Sequence, residues 1–135
     1  MDAEFRFDVD VPVRYRDLDT LGHVNNAVYA TYLEQARAAY IDRVVGADLE
    51  DGGMVLVNFE IDFRRPVDAA VGSVRVECGA VSVGDSSFRM AYRVHGDDEP
   101  AATAESVQVA WDGGSSRPLP APWRESLRAF EPELS

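Results

Sequence analysis

Asn25-Asn26-Ala27-Val28-Tyr29-Ala30-Thr31-Tyr32-Leu33-Glu34-Gln35-Ala36-Arg37-Ala38-Ala39-Tyr40-Ile41-Asp42-Arg43-Val44-Val45-Gly46 is the stretch on which the fold turns. Tyr29, Leu33, Ala36, Tyr40 and Val44 recur four, three, four and four residues apart, the spacing of one apolar helix face. Ala30, Ala36, Ala38 and Ala39 keep the helix slim enough to lie close on a sheet. Asparagine is a strong N-cap, so Asn25 and Asn26 mark the start, and Gly46 is a suitable stop. Glu34 and Arg37, three apart, are placed to pair on the helix surface.

Outward from this helix every other pattern is that of strands. Before it, Phe5, Phe7, Val9, Val11, Val13 and Tyr15 alternate with polar residues, a strand with one buried face. After a glycine-rich turn at Asp51-Gly52-Gly53, the spacing predicts strands over 54–63, 71–83, 88–94 and 101–111. The breaks are Arg64-Arg65-Pro66, Gly84-Asp85, His95-Gly96-Asp97-Asp98 and Asp112-Gly113-Gly114. A proline-rich tail leads to a short amphipathic segment from Trp123 to Phe130. A lone helix of this length has its apolar face covered only when a sheet wraps it. The expectation is an α+β chain, a long central helix wrapped by an antiparallel sheet of about five strands, which is the hotdog architecture. One copy leaves a sheet edge open, so a homodimer or homotetramer is expected. The length, 135 residues, suits a single domain over 1–135.

Composition narrows the chemistry. Formal net charge is −11, and all 13 basic residues are arginine. Such a surface is a poor partner for nucleic acid or for an anionic membrane. No apolar run reaches the roughly 18 residues that span a bilayer, and the acidic start is the reverse of a secretory signal, so a cytoplasmic protein is expected. Acidity without lysine is what a salt-adapted cytoplasm favours. The expected result is greater resistance to unfolding in molar salt than in dilute buffer; equal stability in both would sink the idea. Cys78 is the sole cysteine, in a strand-like run, and is expected to be a buried inert thiol. His95 falls in an acidic turn and is expected to be solvated; no metal site and no cofactor are expected.

The densest polar cluster, Asp17, Asp19, His23, Asn25 and Asn26, lies where the first strand hands over to the helix. The first N–H groups of a helix lack internal partners and carry the positive end of the dipole, so they can hold a developing oxyanion. A carboxylate beside them completes the parts for acyl transfer, as a nucleophile or as a base for water. The same residues also fit blander roles. Asp17 and Asp19 suit a solvated loop or an Asx-turn, Asn25 and Asn26 simple capping, and His23 a surface position.

The run DLDTLGHVNNAVYATYLEQAR over residues 17–37, with its D-x-D, H-V-N-N, Y-x-x-Y and E-x-A-R elements, resembles the signature of the 4-hydroxybenzoyl-CoA thioesterase-like hotdog family. Ile61-Asp62-Phe63-Arg64-Arg65-Pro66-Val67, Gly84-Asp85-Ser86-Ser87-Phe88 and Arg117-Pro118-Leu119-Pro120 resemble later landmarks of that family. The resemblance implies an acyl-CoA thioesterase acting on an acyl-CoA substrate. It implies Asp19 as the catalytic carboxylate and the backbone N–H of Asn26 as the donor to the thioester oxygen. The H-V-N-N form is similar to plant acyl-ACP thioesterases, whose aspartate and histidine match Asp19 and His23. Their asparagine falls on Leu21, so that element is missing here. Asp17 and Asn25 are candidate substrate-binding residues, Asp17 mainly as a loop-ordering carboxylate. Arg64 and Arg65 are candidates for the phosphates of coenzyme A, since arginine binds phosphate bidentately. Ser86 and Ser87 are candidates for pantetheine or pyrophosphate. Two alternatives stay open at this point: an enoyl-CoA hydratase-like hotdog enzyme, and a non-catalytic acyl-CoA-binding module.

Overall fold

The computed structural model describes residues 5–46 and 53–134. Asp51 and Gly52 of the expected turn, and the first four residues, lie outside them. The chain forms β1 (Phe7–Pro12), α1 (Asn26–Tyr40), β2 (Gly53–Phe63), β3 (Ser73–Val83), β4 (Ser87–Gly96), β5 (Glu99–Asp112), a two-residue β6 (Ser115–Ser116) and α2 (Ala121–Phe130). All pairings are antiparallel and the order across the sheet is β1-β3-β4-β5-β2, with β6 on β5. This is the hotdog architecture. β1 stops earlier than its alternation suggests: after the Val13 N–H bonds the Gly72 carbonyl (2.9 Å), a 3-10 turn at Tyr15–Asp17 takes the chain out of the sheet.

α1 lies against β3 and β1 and buries Tyr29, Tyr32, Leu33, Ala36 and Tyr40 completely or nearly so. Ala36 is small enough for the helix to touch the sheet, and its carbonyl sits 3.8 Å from the Cys78 Sγ. Burial, reinforced by the Glu131 charge, pushes the Cys78 thiol up to about 12, which leaves it inert as a nucleophile at neutral pH. At the far end of α1 the Tyr40 hydroxyl accepts from the Ala80 N–H (3.2 Å) and donates to Glu131 (2.7 Å), while Phe7 stacks edge-on against its ring.

The helical face slips by one residue at its end. Ile41–Val45 form a π turn closed by the Gly46 N–H bonding the Ile41 carbonyl at 2.9 Å, with Gly46 at φ 68°. The extra residue in that turn puts Val45 into the core in place of Val44, which is only half-buried.

Two further expectations are corrected. His95 is not a solvated turn residue. It lies near the end of β4, where its Nε2 meets Glu77 at 2.5 Å and its side chain is 11% exposed. The turn is confined to Asp97 and Asp98, both at positive φ, so the strand runs two residues further than the glycine suggests. Arg37 does not pair with Glu34. It is buried, donates to the Tyr92 hydroxyl (3.4 Å) and lies over the Phe59 ring, whereas Glu34 faces solvent. The long guanidinium stem reaches inward to an aromatic face, a contact that helix spacing alone does not reveal.

β1 and β2 are the sheet edges. A bulge between Leu56 and Asn58 turns Leu56 and Val57 outward on β2, and Phe63 is also exposed. Among the described residues, no helix is long and apolar enough to cross a membrane.

Candidate active site

The loop between β1 and α1 folds back on itself as a small hairpin. Leu18 and Val24 bridge, the Asp19 N–H bonds the His23 carbonyl (2.7 Å), and the Asn25 N–H bonds the Asp17 carbonyl (2.8 Å). Gly22, at φ 80°, makes the reversal and donates to the Asp19 carbonyl. The loop is docked on the segment after β2: the Val24 N–H bonds the Val67 carbonyl and His23 bridges Asp68.

Within this frame Asp19 Oδ1 accepts from the Leu21 N–H (2.9 Å) and the His23 N–H (3.2 Å). The Asx-type turn is therefore real, and it orients the carboxylate. Asp19 is exposed and its Oδ2 has no partner among the described residues. On the returning limb, Asn25 caps α1 by accepting from the Ala27 N–H (2.9 Å), and its carbonyl takes the Val28 N–H (2.9 Å). Of these first-turn donors the Asn26 N–H is left without an acceptor among the described residues. A carboxylate oxygen and a helix-end N–H, both open, thus sit on the two limbs of one tight hairpin.

Asp17 differs from Asp19. It is 9% exposed, and its Oδ2 is held by the Arg14 N–H (2.8 Å) and the Tyr32 hydroxyl (2.7 Å). Burial pushes its carboxyl up, but the Tyr32 and Arg14 hydrogen bonds and the nearby Arg14 and Arg16 charges outweigh this and hold it below its usual value. Tyr32 is the residue at this site that sequence reasoning missed. The Y-x-x-Y spacing carried the signal, since Tyr29 and Tyr32 share a face and both are buried.

The remaining candidates are spread over the sheet. The register puts Pro12, Ser73, Gly96, Glu99 and Phe63 at one end, the end of the Asp19 hairpin. Arg64 and Arg65 leave β2 there, both donating their N–H groups to the Ala101 carbonyl, but they diverge. Arg65 pairs with Glu99 (3.1 Å) beside a cleft of about 300 Å³ shared with Asp68 and Gly96. Arg64 lines a second cleft of about 450 Å³ with Glu60, Asp62 and Arg93. Ser87 opens β4, with Ser86 just before it, at the opposite end, roughly 30 Å of strand away. A single copy does not bring them to Asp19. Beneath α1 a buried polar chain, unannounced by the sequence pattern, runs from Arg37 through Tyr92 and Ser106 to Gln108, which reaches the Phe88 carbonyl.

The sequence profile of the thioesterase-like superfamily matches residues 13–130. A 1,4-dihydroxy-2-naphthoyl-CoA hydrolase of Synechococcus elongatus is 29% identical over 119 residues, 83% of this chain and 86% of that protein. A thioesterase of Thermus thermophilus, solved with coenzyme A and zinc, superimposes with a TM-score of 0.87 at 43% identity, over 95% of this chain and 96% of its own. A 1,4-dihydroxy-2-naphthoyl-CoA thioesterase from Synechocystis shares the fold at 21% identity and a TM-score of 0.78, over 90% of this chain and 94% of its own. With its fold and nearly its whole length in agreement, this chain belongs to the thioesterase-like superfamily and is a thioester hydrolase.

Proposed function

We propose that the chain hydrolyses an acyl-CoA thioester to the free acid and coenzyme A, with Asp19 as the catalytic carboxylate. The observation that carries this reading is an open Asp19 Oδ2 on the hairpin together with an open Asn26 N–H at the helix start into which the hairpin leads. The thioester carbonyl accepts from the Asn26 N–H, helped by the dipole of α1. Asp19 then either attacks the carbonyl carbon, giving an anhydride that water opens, or takes a proton from the water that attacks. In both routes a C–O bond forms, the C–S bond breaks, and the thiolate leaves to take up a proton. His23 contributes its N–H to orient Asp19, and Asn25 sets the helix end.

For the nucleotide, Arg64 is the better phosphate ligand of the two arginines, because Arg65 is already engaged with Glu99. Ser86 and Ser87 would serve only from a second copy. The outward Leu56 and Val57 on edge strand β2 suit such a partner, paired edge to edge. The Synechococcus relative acts on an aromatic acyl-CoA and the Thermus structure holds coenzyme A, which supports this substrate class.

Free-thiol release from a panel of straight-chain and aromatic acyl-CoAs, run in molar salt, tests the reading. At least one should be hydrolysed with a kcat near the ordinary range of about 1–1,000 per second. Binding of acyl-CoAs with no thiol released from any of them would instead establish a binding module.

A further inference from the structure

We infer that Tyr32 is a positioning residue for the reaction, acting through the Asp17 carboxylate; this rests on the assignment of Asp19 and Asn26 above. The pair is energetically odd. Asp17 is a nearly buried carboxylate whose side-chain partner is a neutral hydroxyl, not an arginine. Burying a charge weakens a fold unless its partners offset the lost hydration, and apolar replacements at such sites are often neutral or stabilising. Here the hydrogen bonds and nearby charges more than offset that cost, so the pair also stabilises the fold, and stability by itself assigns it no part in the reaction.

Its location does. Asp17 is the base of the hairpin: its carbonyl holds the Asn25 N–H, and two residues on the chain carries Asp19. Tyr32 lies on α1, six residues beyond Asn26 and fully buried. The 2.7 Å bond from Tyr32 to Asp17 Oδ2 is therefore a cross-tie between the limb bearing the carboxylate and the helix bearing the open N–H. Burial and the bond itself lift the Tyr32 hydroxyl well above its ordinary value, so it stays protonated and donates to an ionised Asp17. The tyrosine ring is tilted against Tyr29, which stands edge-on to Phe63 at 5.1 Å just before Arg64. The same aromatic stack thus also ties α1 to the end of β2. Backbone bonds close the hairpin on itself and dock it on Val67; the Tyr32–Asp17 bond adds a side-chain tie from the hairpin to the second turn of α1.

The test is a double-mutant cycle in kcat, with Tyr32→Phe, Asp17→Ala and their combination beside wild type and Asp19→Asn. Tyr32→Phe should lower kcat about tenfold with KM within about twofold, because a sub-ångström displacement of a reacting group is felt in turnover. In the Asp17→Ala background the same change should alter kcat by less than about twofold. Asp17→Asn, which keeps an oxygen for Tyr32, should recover most of the activity. Amide exchange at Asn25 should quicken in Tyr32→Phe while exchange at Leu33 does not, which separates a moved hairpin from a loosened fold. A Tyr32→Phe enzyme with wild-type kcat, alongside an inactive Asp19→Asn, overturns the positioning role and leaves the catalytic assignment standing. Effects of Tyr32→Phe and Asp17→Ala that simply multiply overturn it as well. An Asp19→Asn enzyme as active as wild type overturns the catalytic assignment, and the positioning role with it.

Discussion

Asp19→Asn is expected to lower kcat for the preferred acyl-CoA by about a hundredfold or more, with substrate binding and folding intact. The substitution is nearly isosteric. An asparagine oxygen at the position of Oδ1 still accepts from the Leu21 and His23 N–H groups, so the hairpin keeps its shape. Asp19 is also exposed, so no core contact is lost, and the melting temperature should move by no more than about 2 °C. What disappears is the one property the proposed reaction needs on that limb, an anionic oxygen free to attack a carbonyl or to accept a proton. The Asn26 N–H remains, so a residual rate above the uncatalysed one should persist. A mutant with wild-type kcat would move the catalytic group elsewhere. A mutant that has lost coenzyme A binding would turn Asp19 into a binding residue. Measuring kcat and Kd on the same preparation separates these outcomes.

The sequence pattern carried most of the architecture because it is periodic. The four–three–four spacing from Tyr29 to Tyr40 describes one helix face, and each of those positions is buried. Alternation located the strands within a few residues. Failures came where a single residue breaks the period. The π turn at Ile41–Val45 shifts the buried position from Val44 to Val45, and His95 continues β4 past the apparent turn. Pairing was less legible than periodicity. Arg37 chooses Tyr92 and Phe59 over a glutamate three residues away, since depth and aromatic neighbours are properties of the sheet opposite. The site was legible as a cluster, not as a division of labour. Asp17 and Asp19 look alike in a D-x-D element. In the folded chain one is sealed by Tyr32 and the other turns an oxygen to solvent. Ser86 and Ser87 show the other limit: strand direction, invisible in a local motif, puts them at the far end of the sheet.

The second large effect concerns the helix that carries the Asn26 N–H. Leu33→Ala should lower the unfolding free energy by about 2–5 kcal/mol, toward the upper end of that range. Leu33 is completely buried in the middle of α1. The loss grows with the cavity that remains, and a cavity closes only if the surroundings can move into it. Here the helix is tethered on both sides of the gap. Tyr32 is bonded to Asp17, while Tyr40 is bonded to Glu131 and to the Ala80 N–H. Ala36, between them, already touches Cys78, so the helix has no room to sink further onto the sheet. The space left by the leucine should stay largely open. In urea the midpoint should fall while the slope m is unchanged, because the surface exposed on unfolding is nearly the same. Leu21→Ala is the internal control: Leu21 is 78% exposed and its loss should change stability by no more than about 0.5 kcal/mol. A drop of less than about 1 kcal/mol for Leu33→Ala would mean that α1 relaxes into the gap. The tethers at Tyr32 and Tyr40 would then be weaker than their geometry implies. Because the Tyr32 tether also joins the hairpin to the helix, kcat of the folded Leu33→Ala enzyme should stay close to wild type when the helix does not move, and fall when it does.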